Sequence, residues 1–253
     1  MNADERPRER IERYLPALML VVDASIIQAA LPARQCGREL GHPERSEGSL
    51  VPVLRSATSE GVNMLQVRDK RPHASTLPLA DRALDAINHD QSRALVWIND
   101  SYAVAMTVET FALHLAEGRP MPPEDQRRLV AVSRSVHSPE AATRAEAEGA
   151  DMLVLGTVFP SPSHPNGPTI GLDGVREVCA RVQIPVIGIG GITAQNVADV
   201  IRAGASGVAV ISAIFDAPDP RAAAAALRNV IDAAWRARHP DPSTQSASPA
   251  VQE

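Results

Sequence analysis

The chain has 253 residues, a formal net charge of -5, 44% apolar residues and only 3% aromatic ones. That charge argues against a nucleic-acid binder, and no stretch approaches the roughly 18 consecutive apolar residues of a membrane span. Residues 1–14 mix Arg and Glu without the apolar run of a secretory leader, and Cys36 and Cys179 are far apart, so two reduced thiols in a cytoplasmic protein are expected.

A core so poor in aromatics must be built from Val, Ile, Leu and Ala, which suits parallel strands buried on both faces. Short apolar runs alternate with amphipathic segments in a β-α-β-α pattern. After the polar segment 1–14, the first strand is read at 17–23. Residues 34–50 are polar and Gly-rich and read as an insertion in a surface loop, a tolerated place for extra chain. The second strand, 62–67, runs into Gln66, Val67, Arg68, Asp69 and Lys70, and a helix follows over 77–88. The third, 94–98, ends at Asn99 and Asp100; the fourth, 111–115, carries His114 and leads to Glu117 and Arg119. The fifth is read at 129–133, with Ser135 and His137 beyond it and a helix over 139–148, capped by Ser138 with Pro139 at its first position. The sixth, 152–155, enters a loop holding Gly156, Ser161, Ser163 and His164, before a helix over 172–181. The seventh, 186–189, meets Gly190 and Gly191, with Thr193 capping a helix over 194–202. The eighth, 207–211, reaches Ile211 and Ser212, and a last helix spans 220–238. Gly149 and Gly204 stand where helices should stop. The segment 239–253 is rich in Pro, Ser, Gln and Ala and is expected to be disordered. Eight such units make one (β/α)8 TIM barrel across 15–238.

In a (β/α)8 barrel the active site lies at the C-terminal ends of the strands. Gly190 and Gly191 let backbone approach an anion, and with Ile211 and Ser212 they form the loops after strands seven and eight, a common phosphate site in this fold. The same glycines could serve only a tight turn. Arg68 and Lys70 offer a clamp for phosphate or carboxylate, or a solvated charge run. Asp100 suits a metal, a substrate group or a helix cap. His137 suits acid/base work at neutral pH, or a local hydrogen bond at a helix start. His114 is read as barrel filling. Nothing matches a nucleophilic triad, a zinc site or a dinucleotide fingerprint.

Six short motifs then occur in order on six strand ends: Gln66-Val67-Arg68-Asp69-Lys70, Ile98-Asn99-Asp100, Ser135-Val136-His137-Ser138, Gly156-Thr157-Val158-Phe159-Pro160, Ile189-Gly190-Gly191-Ile192 and Val210-Ile211-Ser212. Together they resemble the thiamine phosphate synthase/TenI superfamily, over about residues 17–235. The resemblance implies one of two activities. A synthase joins hydroxymethylpyrimidine pyrophosphate to a thiazole phosphate with Mg²⁺ and releases pyrophosphate. A TenI-type tautomerase moves one proton on a carboxythiazole phosphate and needs no metal. By position, Arg68 and Lys70 resemble pyrophosphate-binding cations. Asn99 and Asp100 resemble the pyrophosphate and metal residues, with Asp100 a metal ligand only in a synthase. Gly190, Gly191, Ile211 and Ser212 resemble the thiazole-phosphate site, and His137 the tautomerase acid/base.

Two departures weigh on the choice. Arg119 stands where the synthase pattern has a second metal-binding Asp, with Glu117 two residues earlier. Ser161, Ser163 and His164 stand where that pattern has Thr, Thr and Lys; the resemblance leaves Ser161 and Ser163 as phosphate-binding hydroxyls and loses the Lys charge at 164. The favoured expectation is therefore a thiazole tautomerase, an isomerase without a cofactor, in which His137 moves the proton, Gly190, Gly191, Ile211 and Ser212 hold the phosphate, and Arg68, with Lys70 as a second candidate, faces the substrate carboxylate. A divergent Mg²⁺-dependent synthase is the alternative, supported by the retained Arg68, Lys70, Asn99 and Asp100. A non-catalytic binder of thiamine intermediates is the third. The partner in each is a small phosphorylated thiazole, with no nucleic acid and no membrane, and a homo-oligomer is left open.

Overall fold

A computed structural model describes residues 7–24, 50–69, 76–89, 94–110, 112–161 and 167–240. The expected insertion (apart from Leu50) and most of the C-terminal segment lie outside the described residues, as do Cys36, Lys70, Ser163 and His164.

Eight parallel strands close into a barrel in sequence order: β1 (Ala17–Asp23), β2 (Met64–Arg68), β3 (Leu95–Asn99), β4 (Ala112–Leu115), β5 (Ala131–Val136), β6 (Met152–Gly156), β7 (Val186–Ile189) and β8 (Gly207–Val210). The ring shuts where β1 pairs with β8 in the register Ala17↔Gly207 to Leu20↔Val210. The described helices are α1 (Pro7–Glu12), α2 (Leu50–Ser59), α3 (Thr76–His89), α4 (Tyr102–Thr107), α5 (Glu124–Arg127), α6 (Pro139–Ala147), α7 (Gly171–Arg181), α8 (Val197–Arg202), α9 (Ser212–Phe215) and α10 (Pro220–Arg238). This is a (β/α)8 TIM barrel. None of these helices is long and apolar enough to cross a membrane.

Strand periodicity divides the core in two. All seven residues of β1 are buried. Met19 and Val21 point into the barrel, beside Met64, Trp97, Met152 and Ile187. Leu18, Leu20 and Val22 point outward, into the layer shared with the helices. This alternation is why the strands read as unbroken apolar runs rather than half-polar ones.

The N-terminal segment was expected to be merely polar, yet part of it is structural. Six-residue α1 is too short to persist alone. Its Ile11 is fully buried and belongs to the interior cluster with Ala17 and Met19. Burial of one such side chain contributes ~1.5–3 kcal/mol, enough to anchor a single turn.

Many boundaries shift from expectation by one or two residues, and three of the differences bear on the strand ends. β5 begins at Ala131, and Leu129, expected inside it, is 51% exposed in the preceding turn. The strand runs on through Arg134 and Ser135 because both polar side chains have partners, Arg134 with Glu148 and Ser135 with His114. Helix α8 starts at Val197, not after Thr193: Asn196 Oδ1 accepts the Thr193 N–H at 2.9 Å, and Asn196 Nδ2 donates to Gly191 O at 2.9 Å, holding 191–196 as a turn. Strand β8 ends at Val210, and Ser212 opens the short α9. The Ser138 cap and the left-handed Gly149 and Gly204 are found as expected, Ser138 Oγ accepting the Ala141 N–H at 3.1 Å.

Candidate active site

A cavity of about 1450 Å³ lies at the C-terminal strand ends. It is lined by Arg68, Asn99, Asp100, His137 and Ser161, and across the barrel by Gly190, Gly191, Ile211 and Ser212. Every sequence-derived candidate among the described residues therefore faces one space. The volume exceeds the roughly 300–1,000 Å³ of an ordinary single-ligand pocket.

The β2–β3 side is a polar array. Gln66, 4% exposed on the barrel wall, donates Nε2 to Asn99 Oδ1 at 3.2 Å. Asn99 passes the chain on, donating Nδ2 to Asp100 Oδ2 at 3.0 Å. Asp100 holds a left-handed backbone, φ 54°, which Asp tolerates better than most residues. Its N–H donates to His114 O at 2.8 Å, and its Oδ1 accepts the Ala116 N–H at 3.0 Å. Arg68 stands at the mouth, its Nε 3.6 Å from Asp23 Oδ2, because β1 and β2 pair Asp23 with Arg68 in register. Asp23 was not singled out in the sequence, although its place at the end of β1 was the available signal.

The β7–β8 side is backbone. Gly190 and Gly191 both have positive φ, 105° and 61°. A Cβ on Gly190 would lie 2.4 Å from Thr157 Cγ2, and one on Gly191 2.4 Å from Pro160 O. The loop after β6 presses on this turn through Val158 N–H to Ile189 O at 2.9 Å and Phe159 N–H to Gly190 O at 3.0 Å. In α9, Ile214 and Phe215 donate to Ile211 O at 3.1 and 3.0 Å, whereas the first-turn amides of Ser212 and Ala213 have no place in the helix ladder. Such amides favour an anion.

Between the two sides sit the histidines. His114, 2% exposed, is held by Ser133 Oγ at Nδ1 (2.8 Å) and Ser135 Oγ at Nε2 (2.9 Å). Burial pushes its pKa down to about 4, against the pull of Asp100 and with the help of Arg68, so the ring is neutral. Expected to fill the barrel, it also reaches the cavity floor. His137 is 60% exposed at the rim, its Nδ1 against Glu117 Oε2.

The donor set does not fit a resident metal ion. Both Asp100 oxygens already accept hydrogen bonds, Arg119 Nε stands 3.7 Å from Oδ1, and Glu117 is taken by His137. Among the described residues no three His, Cys, Asp or Glu side chains gather.

A family model described as thiamine monophosphate synthase matches residues 41–214. A thiamine-phosphate synthase of Roseiflexus sp. (strain RS-1) is 39% identical over 193 residues, 74% of this chain and 81% of that protein. One from Methanoculleus marisnigri is 43% identical over 187 residues, 72% of this chain and 88% of that protein. A solved thiamine phosphate pyrophosphorylase from Pyrococcus furiosus superposes with a TM-score of 0.68 at 28% identity, covering 86% of this chain and 96% of that one.

These relatives overturn the expectation of a thiazole tautomerase and isomerase, and favour the synthase alternative. The physical reason lies in the half of the site that the substitutions at 119, 161, 163 and 164 had discounted. The Gln66–Asn99–Asp100 chain is assembled and Arg68 is posted beside it. Moving one proton requires neither. With the fold, the six strand-end motifs and these relatives in agreement, the chain belongs to the thiamine monophosphate synthase family.

Proposed function

We propose that the chain is a thiamine-phosphate synthase, joining a pyrimidine pyrophosphate to a thiazole phosphate. The observation that carries this reading is a single cavity with two polar ends. The Arg68–Asn99–Asp100 side and the Gly190–Gly191–Ser212 side are separated by β1 in one direction around the ring and by β4, β5 and β6 in the other. The thiazole phosphate takes the glycine turn and α9, with its ring over Ile189 and Ile211. The pyrophosphate takes Arg68 and Asn99, with Ser161 from the loop after β6; the sequence adds Lys70 and Ser163 from outside the described residues.

In the reaction the C–O bond between the pyrimidine methylene and the pyrophosphate breaks, the oxygen keeping the electron pair. The thiazole ring nitrogen, which carries no proton, gives its lone pair to that carbon, so no general base is required at His137. The site's task is to orient two substrates and meet the charge growing on the leaving group. In this reading Mg²⁺ would come bound to the pyrophosphate substrate and offset its negative charge, and Asp100 would face that complex rather than hold the ion. Substrates this highly charged do not pass a bilayer, which supports a cytoplasmic location.

The test is formation of thiamine phosphate and pyrophosphate by the purified protein from the two phosphorylated precursors with Mg²⁺. Product at a rate that falls when Asn99 is changed supports the reading. Absence of product alongside an active control synthase overturns it.

A further inference from the structure

We infer that Arg119 is a pyrophosphate-contacting residue, supplying positive charge where, among the described residues, no carboxylate cluster gathers for a resident metal ion. The inference rests on the synthase reading and deepens it.

Arg119 follows β4 on the turn Ala116–Arg119, closed by its own N–H to Ala116 O at 3.2 Å. Gly118, at φ 79°, makes that turn. The turn is fastened at both ends. Ala116 N–H donates to Asp100 Oδ1, and Arg134 Nη2 donates to Arg119 O at 2.6 Å. Arg134 is a rigid support, 5% exposed, with its other terminal nitrogen on Glu148. The Arg119 backbone is thus tied to the end of β3 and to the body of β5, while its side chain is left 59% exposed in the cavity.

The guanidinium lies beside Asp100, Nε 3.7 Å from Oδ1. An exposed pair of that length contributes little to stability. It does not by itself explain why a backbone carbonyl on a surface turn is held by a buried arginine. A role toward ligand does. Among the described residues, Arg68 and Arg119 are the two arginines lining the cavity. They stand on β2 and after β4, flanking Asp100 at the end of β3. A pyrophosphate over Asp100 would find a planar, permanently charged donor fork on either side. Asp100 then acts as the post beside Arg119, its oxygens engaged by Asn99 and Ala116, while Asp23 does the same for Arg68.

Arg119 would stabilise the leaving group as the C–O bond breaks, and would let the inorganic anion bind without a divalent ion. The experiment is calorimetric titration of inorganic pyrophosphate in EDTA, with thiamine phosphate formation measured separately. The unsubstituted protein should bind. R119A should bind at least tenfold more weakly, R119K should fall between, and R202A, a surface cation paired with Asp199 on α8, should be unchanged. Equal binding by R119A, or no metal-free binding by the unsubstituted protein, overturns the inference. If product forms while R119A binds normally, the inference falls and the synthase reading stands. If Arg119-dependent binding occurs without product, the anion site stands and the synthase reading falls.

Discussion

Gly190 lies so close to Thr157 that a methyl group on it would come within 2.4 Å of the threonine Cγ2. With φ at 105°, Gly190→Ala is penalised by both backbone and contact, at about 1–3 kcal/mol. The loop after β6 must retreat, and the turn proposed to meet the thiazole phosphate moves with it. We expect KM for the thiazole phosphate to rise at least tenfold, by about 1.4 kcal/mol or more. Steady-state kinetics with the pyrimidine substrate saturating would check this; an unchanged KM would detach the phosphate from this turn.

Asn99 links Gln66 to Asp100 through two hydrogen bonds of 3.2 and 3.0 Å. Asn99→Ala removes both and leaves the Gln66 amide without this partner. Turnover should fall about 10²-fold, the scale of losing one donor aimed at developing charge. Thermal unfolding should shift by only a few degrees. A large loss of stability with normal turnover would make Asn99 a structural residue.

The neutral His114 ring makes stability depend on pH. Its pKa is about 4 in the fold against 6.5 outside it. The contribution is whole above 6.5 and is lost as pH falls toward 4, up to roughly 3 kcal/mol. Urea unfolding at pH 7 and at pH 4.5 should show a steeper decline for the unsubstituted protein than for His114→Gln. Parallel declines would remove His114 from the acid response.

Asp151 works in the opposite direction. Burial lifts its pKa from 3.8 to about 6, although its Oδ2 accepts the Val132 N–H at 2.8 Å. The contribution present below 3.8 is lost as pH rises through 6, on the order of 1–3 kcal/mol. Asp151→Asn keeps an acceptor for Val132 and removes the charge. It should be more stable than the unsubstituted protein at pH 8 and lose that advantage at pH 4, measured by thermal melts at both.

The barrel was legible because its strands are buried on both faces: 17–23 and 220–238 were read with the bounds that β1 and α10 have. β5 was misplaced because Arg134 and Ser135 interrupt the apolar run, and their partners, Glu148 and His114, lie 14 and 21 residues away. The strand-end motifs placed Arg68, Asn99, Asp100 and the Gly190–Gly191 turn around one cavity. The choice of reaction failed for a related reason. Arg119 was weighed as a single change of charge, whereas the Gln66–Asn99 bond and the Arg134 tie to Arg119 join residues 33 and 15 positions apart. α1 was missed because one apolar residue, Ile11, carries its packing, and one residue has no period.

Ile11 also closes the base of the barrel interior, next to Ala17 and Met19. In the proposed synthase reaction traffic would therefore be one-ended: both substrates would enter and both products leave by the mouth above the strand ends. Whatever settles deepest must come first and depart last. A second substrate that sits over the first would trap it there until bond formation, so the order of arrival is written into which end of the tube is shut.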